Sequence, residues 1–257
     1  MQQQLLFIFV SSFAIILLLM FLLIEMSAVR HKKELKSRDD ELSEFAHDIK
    51  TPINSIKGFA EGIFDGTVKE QDREKYLDII ISECDRLCKM TDDFVLSGKL
   101  GTAHIEKRDV KIYDLIGDVL LSFEKEITDK NITVTGVERI ENSDEKNACV
   151  LGDKQLLHRA FYNVFANAVK YTSDGGGISL TINDKGKYIC VSVSNTAGVK
   201  GDVKRIFDKN YRGESDENGT GLGLYIVKSI VEQHKGEVYA ESENDKTCIT
   251  VTLPASK

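Results

Sequence analysis

From Leu42 to Ile63 the chain places apolar residues at Leu42, Phe45, Ile49, Pro52 and Ile53, Ile56 and Ile63, mostly in steps of three and four. A period near 3.5 residues is the narrow seam of a helix that pairs with other helices. A second seam follows at Leu77, Ile80, Cys84, Leu87, Thr91 and Phe94, on a helix predicted from about Gln71 to Leu96. Between them Gly58, Gly62 and Gly66 weaken the first helix, and Asp65-Gly66-Thr67 is predicted to end it. Two narrow seams cannot both be buried by one hairpin. Pairing of two copies into a four-helix bundle covers both, and a single hairpin packed on the downstream part of the chain is the other solution.

At ~100° per residue, His47 lies about 200° from both Phe45 and Ile49 and so points away from the first seam. Thr51, four residues on, falls nearly over it, and Asp48 sits beside it. An exposed imidazole flanked by a carboxylate and a hydroxyl suits nucleophilic chemistry with a proton acceptor in reach, and it equally suits a plain solvated histidine.

The apolar run from Leu5 to Ile24 carries no charge, and its length matches the roughly 30 Å hydrocarbon core of a membrane. A secretory signal wants basic residues before the run and a small-residue cleavage site after it. Here the first four residues are uncharged and Arg30, Lys32, Lys33, Lys36 and Arg38 follow the run. The positive-inside bias therefore predicts a single-pass anchor in the cell membrane over residues 1–25, with the amino end outside and the rest cytoplasmic. Only about twenty residues separate this anchor from His47, with no second span between them. A signal is then expected through the span and its lipid surroundings, through a membrane sensory partner, or through the cytoplasmic parts. The 257 residues carry a net charge of −7 and no basic cluster interleaved with aromatics, which argues against nucleic acid as a partner. All five cysteines follow the anchor in spacings that fit no zinc pattern, so they read as reduced structural thiols.

A hinge-like linker is expected over 98–107, separating a helical hairpin over 26–97 from a mixed domain over 108–257. In that domain, strands are predicted at Asp109–Ile112, Ile132–Val137, Cys149–Leu151, Ile178–Ile182, Tyr188–Ser194, Glu237–Ala240 and Cys248–Leu253. Helices are predicted over about Tyr113–Lys130, from the cap at Asp153 to Tyr171, and over Leu222–His234. This order gives an α+β layer sandwich. Asn163, Asn167, Lys170 and Tyr171 share one side of the middle helix, and two asparagines inside a helix need some reward. Carboxamide oxygens with a lysine suit Mg²⁺ and phosphate, and hydrogen bonds within the protein are the alternative. Gly219-Thr220-Gly221-Leu222-Gly223 opens the last helix, where alternate glycines let backbone amides approach phosphate.

The segment Glu44-Phe45-Ala46-His47-Asp48-Ile49-Lys50-Thr51-Pro52 resembles the phosphoacceptor box of the two-component sensor histidine kinases. The resemblance extends in order through the rest of the chain. The Asn163–Tyr171 run is similar to the family's N-box, Ile206–Arg212 to its F-box, and Gly219–Leu224 to its G2 box, with 213–218 as a lid between the last two. It implies that His47 takes a phosphoryl group from ATP and passes it to an aspartate on the receiver domain of a response regulator. Asp48 would act as general base, and Thr51 would position water when the protein works as a phosphatase. Asn167, helped by Asn163, would hold Mg²⁺. Lys170 would meet phosphate and Tyr171 the adenosine, Phe207, Tyr211 and Arg212 would belong to the nucleotide site through the F-box, and Gly219, Thr220, Gly221, Leu222 and Gly223 would form the phosphate loop. The family's G1 box carries an aspartate that accepts from the adenine amino group, followed by two close glycines. This chain has Asn195-Thr196-Ala197-Gly198 there, with a neutral carboxamide and one glycine. There is also no room for the HAMP-type relay many members carry.

The resemblance thus implies an α+β protein made of a transmembrane helix, a homodimeric four-helix-bundle hairpin and an α/β-sandwich ATP-binding domain of the Bergerat type. The expected activity is autophosphorylation from ATP and Mg²⁺ followed by transfer to a response regulator. The altered G1 region keeps open a kinase-impaired signalling scaffold or a phosphatase-biased partner. An ATP-driven clamp of the same superfamily fits the ATPase boxes but not the His47 box or the anchor.

Overall fold

The computed structural model describes residues 2–100, 105–136, 148–199, 202–213 and 220–256, and in the first helix it leaves out the side chains of residues 2–19, 21–23, 30, 34, 37 and 38. The described residues fall into two compact units, Met1–Leu87 and Cys88–Lys257.

The first unit is a helical hairpin. Helix α1 (Gln2–Phe64) runs uninterrupted through Pro52, and α2 (Arg73–Lys99) returns after a short 3-10 turn at Glu70–Asp72. The predicted breaker ends α1 as expected. Gly66 takes φ +77°, a left-handed conformation that a side chain would strain. The Asp65 carboxylate accepts from the Thr67 amide at 2.9 Å. The Thr67 side chain first, and this amide bond second, hold the Asp65 carboxyl below its ordinary value. Past the turn, the Phe59 and Tyr76 rings meet edge to face with centroids 5.3 Å apart. Pro52 is buried, yet Leu42, Ile53 and Leu77 keep 53%, 47% and 45% of their surface exposed, so one hairpin leaves much of both seams uncovered. The predicted anchor from Leu5 to Ile24 lies almost wholly outside the described side chains. Among the described residues, no helix is long and apolar enough to cross a membrane.

The second unit is an α/β sandwich. Strands β2 (Thr133–Thr135), β4 (Gly177–Asp184), β5 (Tyr188–Asn195), β6 (Glu237–Glu243) and β7 (Lys246–Pro254) form one sheet in the order β2-β4-β5-β7-β6. Among the described residues, only the β2–β4 pair of this sheet is parallel. Strands β1 (Arg108–Lys111) and β3 (Cys149–Gly152) make a separate antiparallel ladder. Alternation in β4 and β5 turns Ile178, Leu180, Ile182, Ile189, Val191 and Val193 inward. Onto that face pack α3 (Ile112–Leu121), α5 (Lys154–Tyr171) and α6 (Gly223–Gln233), whose Leu115, Phe161, Phe165, Ile226 and Ile230 are fully buried. The sheet's other face carries half-buried Cys190, Ser192 and Thr252.

The helix predicted from Tyr113 to Lys130 is instead two. It breaks at Ser122 and Phe123, and α4 (Glu124–Asp129) follows. Phe123 leaves the helical conformation (φ −112°, ψ 7°) and packs against the Tyr162 ring of α5 with centroids 4.8 Å apart. Burying an aromatic ring outweighs continuing one turn of helix, a tertiary effect absent from the local pattern. The last turns of α2 belong to this unit. Met90, Asp93 and Ser97 are buried there, and the Asp93 carboxylate pairs with Arg159 of α5 at 2.5 Å. The Lys89 ammonium lies over the Tyr162 ring, 5.1 Å from its centroid. Burial lowers the Lys89 amine from its ordinary value; Asp93 opposes this, while Arg159 and Lys170 add to it.

Candidate functional site

The residues that the sequence marks as candidates for chemistry fall into two groups, one in each unit. On α1, His47 and Thr51 are exposed and Asp48 is half-buried. The helix that carries them is continuous for more than two turns on either side, so their spacing is rigid.

In the second unit, α5 begins at a well-made cap. The Asp153 carboxylate accepts from the Gln155 and Leu156 amides at 2.9 and 3.2 Å. The Asp153 amide in turn donates to Nε2 of the buried His234, at the end of α6, at 3.0 Å. Because Nε2 accepts, the ring proton sits on Nδ1, which donates to the Ile230 carbonyl at 2.7 Å. Burial holds His234 below its ordinary pKa, against the pull of the Ile230 carbonyl. At its other end α5 is closed by Lys130, whose ammonium donates to the carbonyls of Val169, Lys170 and Thr172 at 2.9, 3.3 and 3.2 Å. A cation on orphan carbonyls at a helix carboxyl end also meets the favourable end of the dipole.

This anchored helix presents the predicted asparagines. Asn163 is buried and its amide donates to the Gly223 carbonyl at 3.3 Å, joining the middle of α5 to the first residue of α6. Its carboxamide oxygen makes no hydrogen bond among the described residues, and neither does the half-buried Asn167 side chain one turn on. Lys170 is exposed, its ammonium 5.1 Å from the centroid of the 40% exposed Tyr171 ring. Two neutral oxygens one turn apart, with a lysine at the same helix end, fit a hard divalent cation that keeps several waters of its own.

The glycine loop folds directly onto the predicted F-box. Gly221 has φ +66°, and a Cβ there would stand 2.6 Å from the Asn210 carbonyl carbon and 2.9 Å from the Tyr211 oxygen. Only glycine lets these backbones touch. Thr220 Oγ1 accepts from the Leu222 amide at 3.3 Å, and Leu222 is buried. Ile206 and Phe207 fill the core beneath. The Tyr211 hydroxyl accepts from the Asp202 amide at 3.2 Å, with the Arg205 guanidinium 5.2 Å from its ring centroid. Arg212 is half-buried beside this turn. Gly219 and most of the expected lid lie outside the described residues.

The G1 segment closes the end of β5. Asn195 is 7% exposed on the helix-facing side of the sheet, opposite Thr247 of β7. Thr247 Oγ1 donates to the Ala197 carbonyl at 2.5 Å, and Thr196 Oγ1 accepts from the Gly177 amide at 2.9 Å. Gly198 approaches Asp245 in the β6–β7 turn, where an added Cβ would lie 3.3 Å from its Cα. Thr247, Lys130 and His234 were not marked as site-supporting residues by sequence. Thr247 becomes visible only once the β5–β7 register sets it across from Asn195.

Comparison with known proteins places each unit. Residues 37–102 match the family described as His Kinase A (phospho-acceptor) domain. Residues 152–257 match the family described as histidine kinase-, DNA gyrase B- and HSP90-like ATPase. Sensor protein VanS of Enterococcus faecium is 31% identical over 226 residues, covering 85% of this chain and 57% of VanS. Among solved structures, histidine kinase ThkA in complex with the response regulator protein TrrA has a TM-score of 0.69 at 23% identity, over 88% of this chain and 64% of that one. Full-length ShkA in complex with AMPPNP has a TM-score of 0.59 at 24% identity, over 85% of this chain and 46% of that one. At these identities the two structures attest the fold. A phosphoacceptor hairpin joined to an ATPase sandwich defines the class. The chain belongs to the two-component sensor histidine kinases. It spans about half the length of the relatives it matches.

Proposed function

We propose that this protein is an ATP-dependent, autophosphorylating protein histidine kinase that passes its phosphoryl group to an aspartate on the receiver domain of a response regulator. The observation that carries this reading is the junction of Asn163, the Gly221 turn and the F-box residues, which builds a nucleotide cradle from all three boxes in one unit. ATP lies along α5 and the turn from Thr220 to Gly223, and the complex of ShkA with AMPPNP supports a nucleotide ligand. Asn167 and Asn163 would hold Mg²⁺, which would neutralise phosphate charge there. A ring nitrogen of His47 forms a bond to the γ-phosphorus as the bond to the β,γ-bridging oxygen breaks and ADP leaves, and Asp48 takes the imidazole proton. The phosphoryl group then moves from His47 to the regulator's aspartate, as the pairing of ThkA with TrrA supports. In reverse, Thr51 orients water for dephosphorylation of the regulator.

The uncovered seam residues Leu42, Ile53 and Leu77 support a homodimer that buries them in a four-helix bundle. The charge pattern supports a single membrane span over residues 1–25 with the catalytic part in the cytoplasm. The neutral Asn195 supports the second reading, a kinase-impaired scaffold or phosphatase-biased partner. Asn167→Ala separates the two. Under the kinase reading the wild-type chain binds ATP with Mg²⁺ and the variant loses at least about tenfold in affinity. No detectable ATP binding by the folded wild-type protein would select the scaffold.

A further inference from the structure

We infer that Asn195 makes this kinase accept both adenine and guanine nucleotides, an inference that rests on the nucleotide site proposed above. Asn195 is 7% exposed, yet its carboxamide makes no hydrogen bond among the described residues. Its amide atoms are not among the fully enclosed unpaired ones, so a ligand can reach hydrogen-bonding groups that the protein leaves open. The neighbouring hydroxyls do not fill the role. Thr247, directly across the ladder, donates to the Ala197 carbonyl, and Thr196 accepts from the Gly177 amide. The carboxamide lies on the helix-facing side of the sheet, as do the inward residues of β5 that pack under α5. Within the proposed function it stands where the G1 box puts its base-contacting residue, so it is the hydrogen-bonding group offered to the base.

The consequence follows from donor and acceptor patterns. Adenine shows an amino donor at position 6 and an acceptor at N1, whereas guanine shows an oxo acceptor at position 6 and a donor at N1. A carboxylate only accepts, so one that faces position 6 meets the adenine amino group and repels the guanine oxygen. A carboxamide offers one acceptor and two donors on one planar group. With its oxygen toward position 6 it accepts from the adenine amino group while its nitrogen donates to N1. Turned about its last torsion, its nitrogen donates to the guanine oxygen while its oxygen accepts from N1–H. With no protein partner to fix its orientation, either rotamer is open. The residue sets base selectivity, and here it sets it low.

The test measures dissociation constants of ATP and GTP, each with Mg²⁺, for the full-length protein in detergent, with Asn195→Asp and Asn195→Leu beside it. Circular dichroism and thermal unfolding verify that each variant is folded. The wild-type protein is expected to bind the two nucleotides within about tenfold of each other. Asn195→Asp is expected to shift the preference toward ATP by about tenfold or more, the value of one lost and repelled edge contact. Asn195→Leu is expected to weaken both nucleotides together. ATP binding with GTP rejected by the wild-type protein overturns the inference and leaves the kinase reading standing. An unchanged preference in folded Asn195→Asp also overturns it. Absence of ATP binding by the wild-type protein overturns the kinase reading itself. Should a variant fail to fold, the wild-type ratio alone still decides.

Discussion

His234 shows how one side chain couples two helices to pH. Its neutral ring accepts from the Asp153 amide and donates to the Ile230 carbonyl, and a second proton would remove the first bond and bury a charge. Its pKa in the folded protein lies below the ordinary 6.5. The unfolded chain therefore binds the proton first as pH falls. This contribution to stability is complete above the unfolded value and is lost as pH drops below about 6.5 toward the depressed folded value. Urea unfolding at about pH 7.5 and about pH 5.5 should show a drop that His234→Gln largely removes; equal slopes for both proteins would exclude the histidine as its source. Gly221 poses a steric test instead. Gly221→Ala combines a left-handed backbone with a contact of 2.6 Å to the Asn210 backbone. It should cost about 1–3 kcal/mol in unfolding free energy and weaken nucleotide binding, and an unperturbed variant would mean the loop does not rest on the F-box as described. At this scale the sequence marked candidate residues but not what they touch. The Asn163–Gly223 bond joins residues 60 apart, and no local pattern encodes such a pair.

Elements were legible where periodicity was strong. The strands β4, β5 and β7 alternate buried and exposed positions over most of their length, and the sequence placed each within about two residues. The end of α1 at Phe64 was likewise readable from its seam and its glycine stop. The break between α3 and α4 was not, because it is caused by Phe123 meeting Tyr162. The same holds for the closure of α5 by Lys130, which arrives from 39 to 42 residues away. Lys130→Met leaves three carbonyls without their shared donor at a helix end. It should lower stability by about 1–2 kcal/mol, read by thermal unfolding, and free the last turn of α5, read by faster amide exchange at Lys170 and Tyr171. Unchanged exchange there would show that water replaces the lysine without loss.

At the scale of the molecule, the boundary between the compact units falls within α2 rather than between separate elements. The Asp93–Arg159 pair fastens the last turns of α2 to α5, with the Asp93 side chain 4% exposed and that of Arg159 29% exposed. Asp93→Ala leaves a guanidinium that water reaches only in part. The expected loss for the second unit is about 1–3 kcal/mol, below the 3–5 typical of a fully buried broken pair. Denaturant unfolding of Asp93→Ala, Arg159→Met and the double variant measures it, and additive losses would show the pair to be uncoupled. The seams on α1 and α2 announced a helical hairpin in the sequence, and the ordered boxes announced the ATPase sandwich. The docking of α2 stayed hidden because Asp93 reads as one more charge on a helix surface.

The most direct measurement supplies the full-length protein in detergent with ATP labelled at the γ-phosphate and Mg²⁺, beside His47→Gln. A sensor histidine kinase that uses these residues acquires an acid-labile, alkali-stable label, and the variant acquires none although it still binds ATP. Label that persists in His47→Gln, or a folded, ATP-binding wild-type protein that stays unlabelled, would contradict the assignment of His47 as the phosphoacceptor.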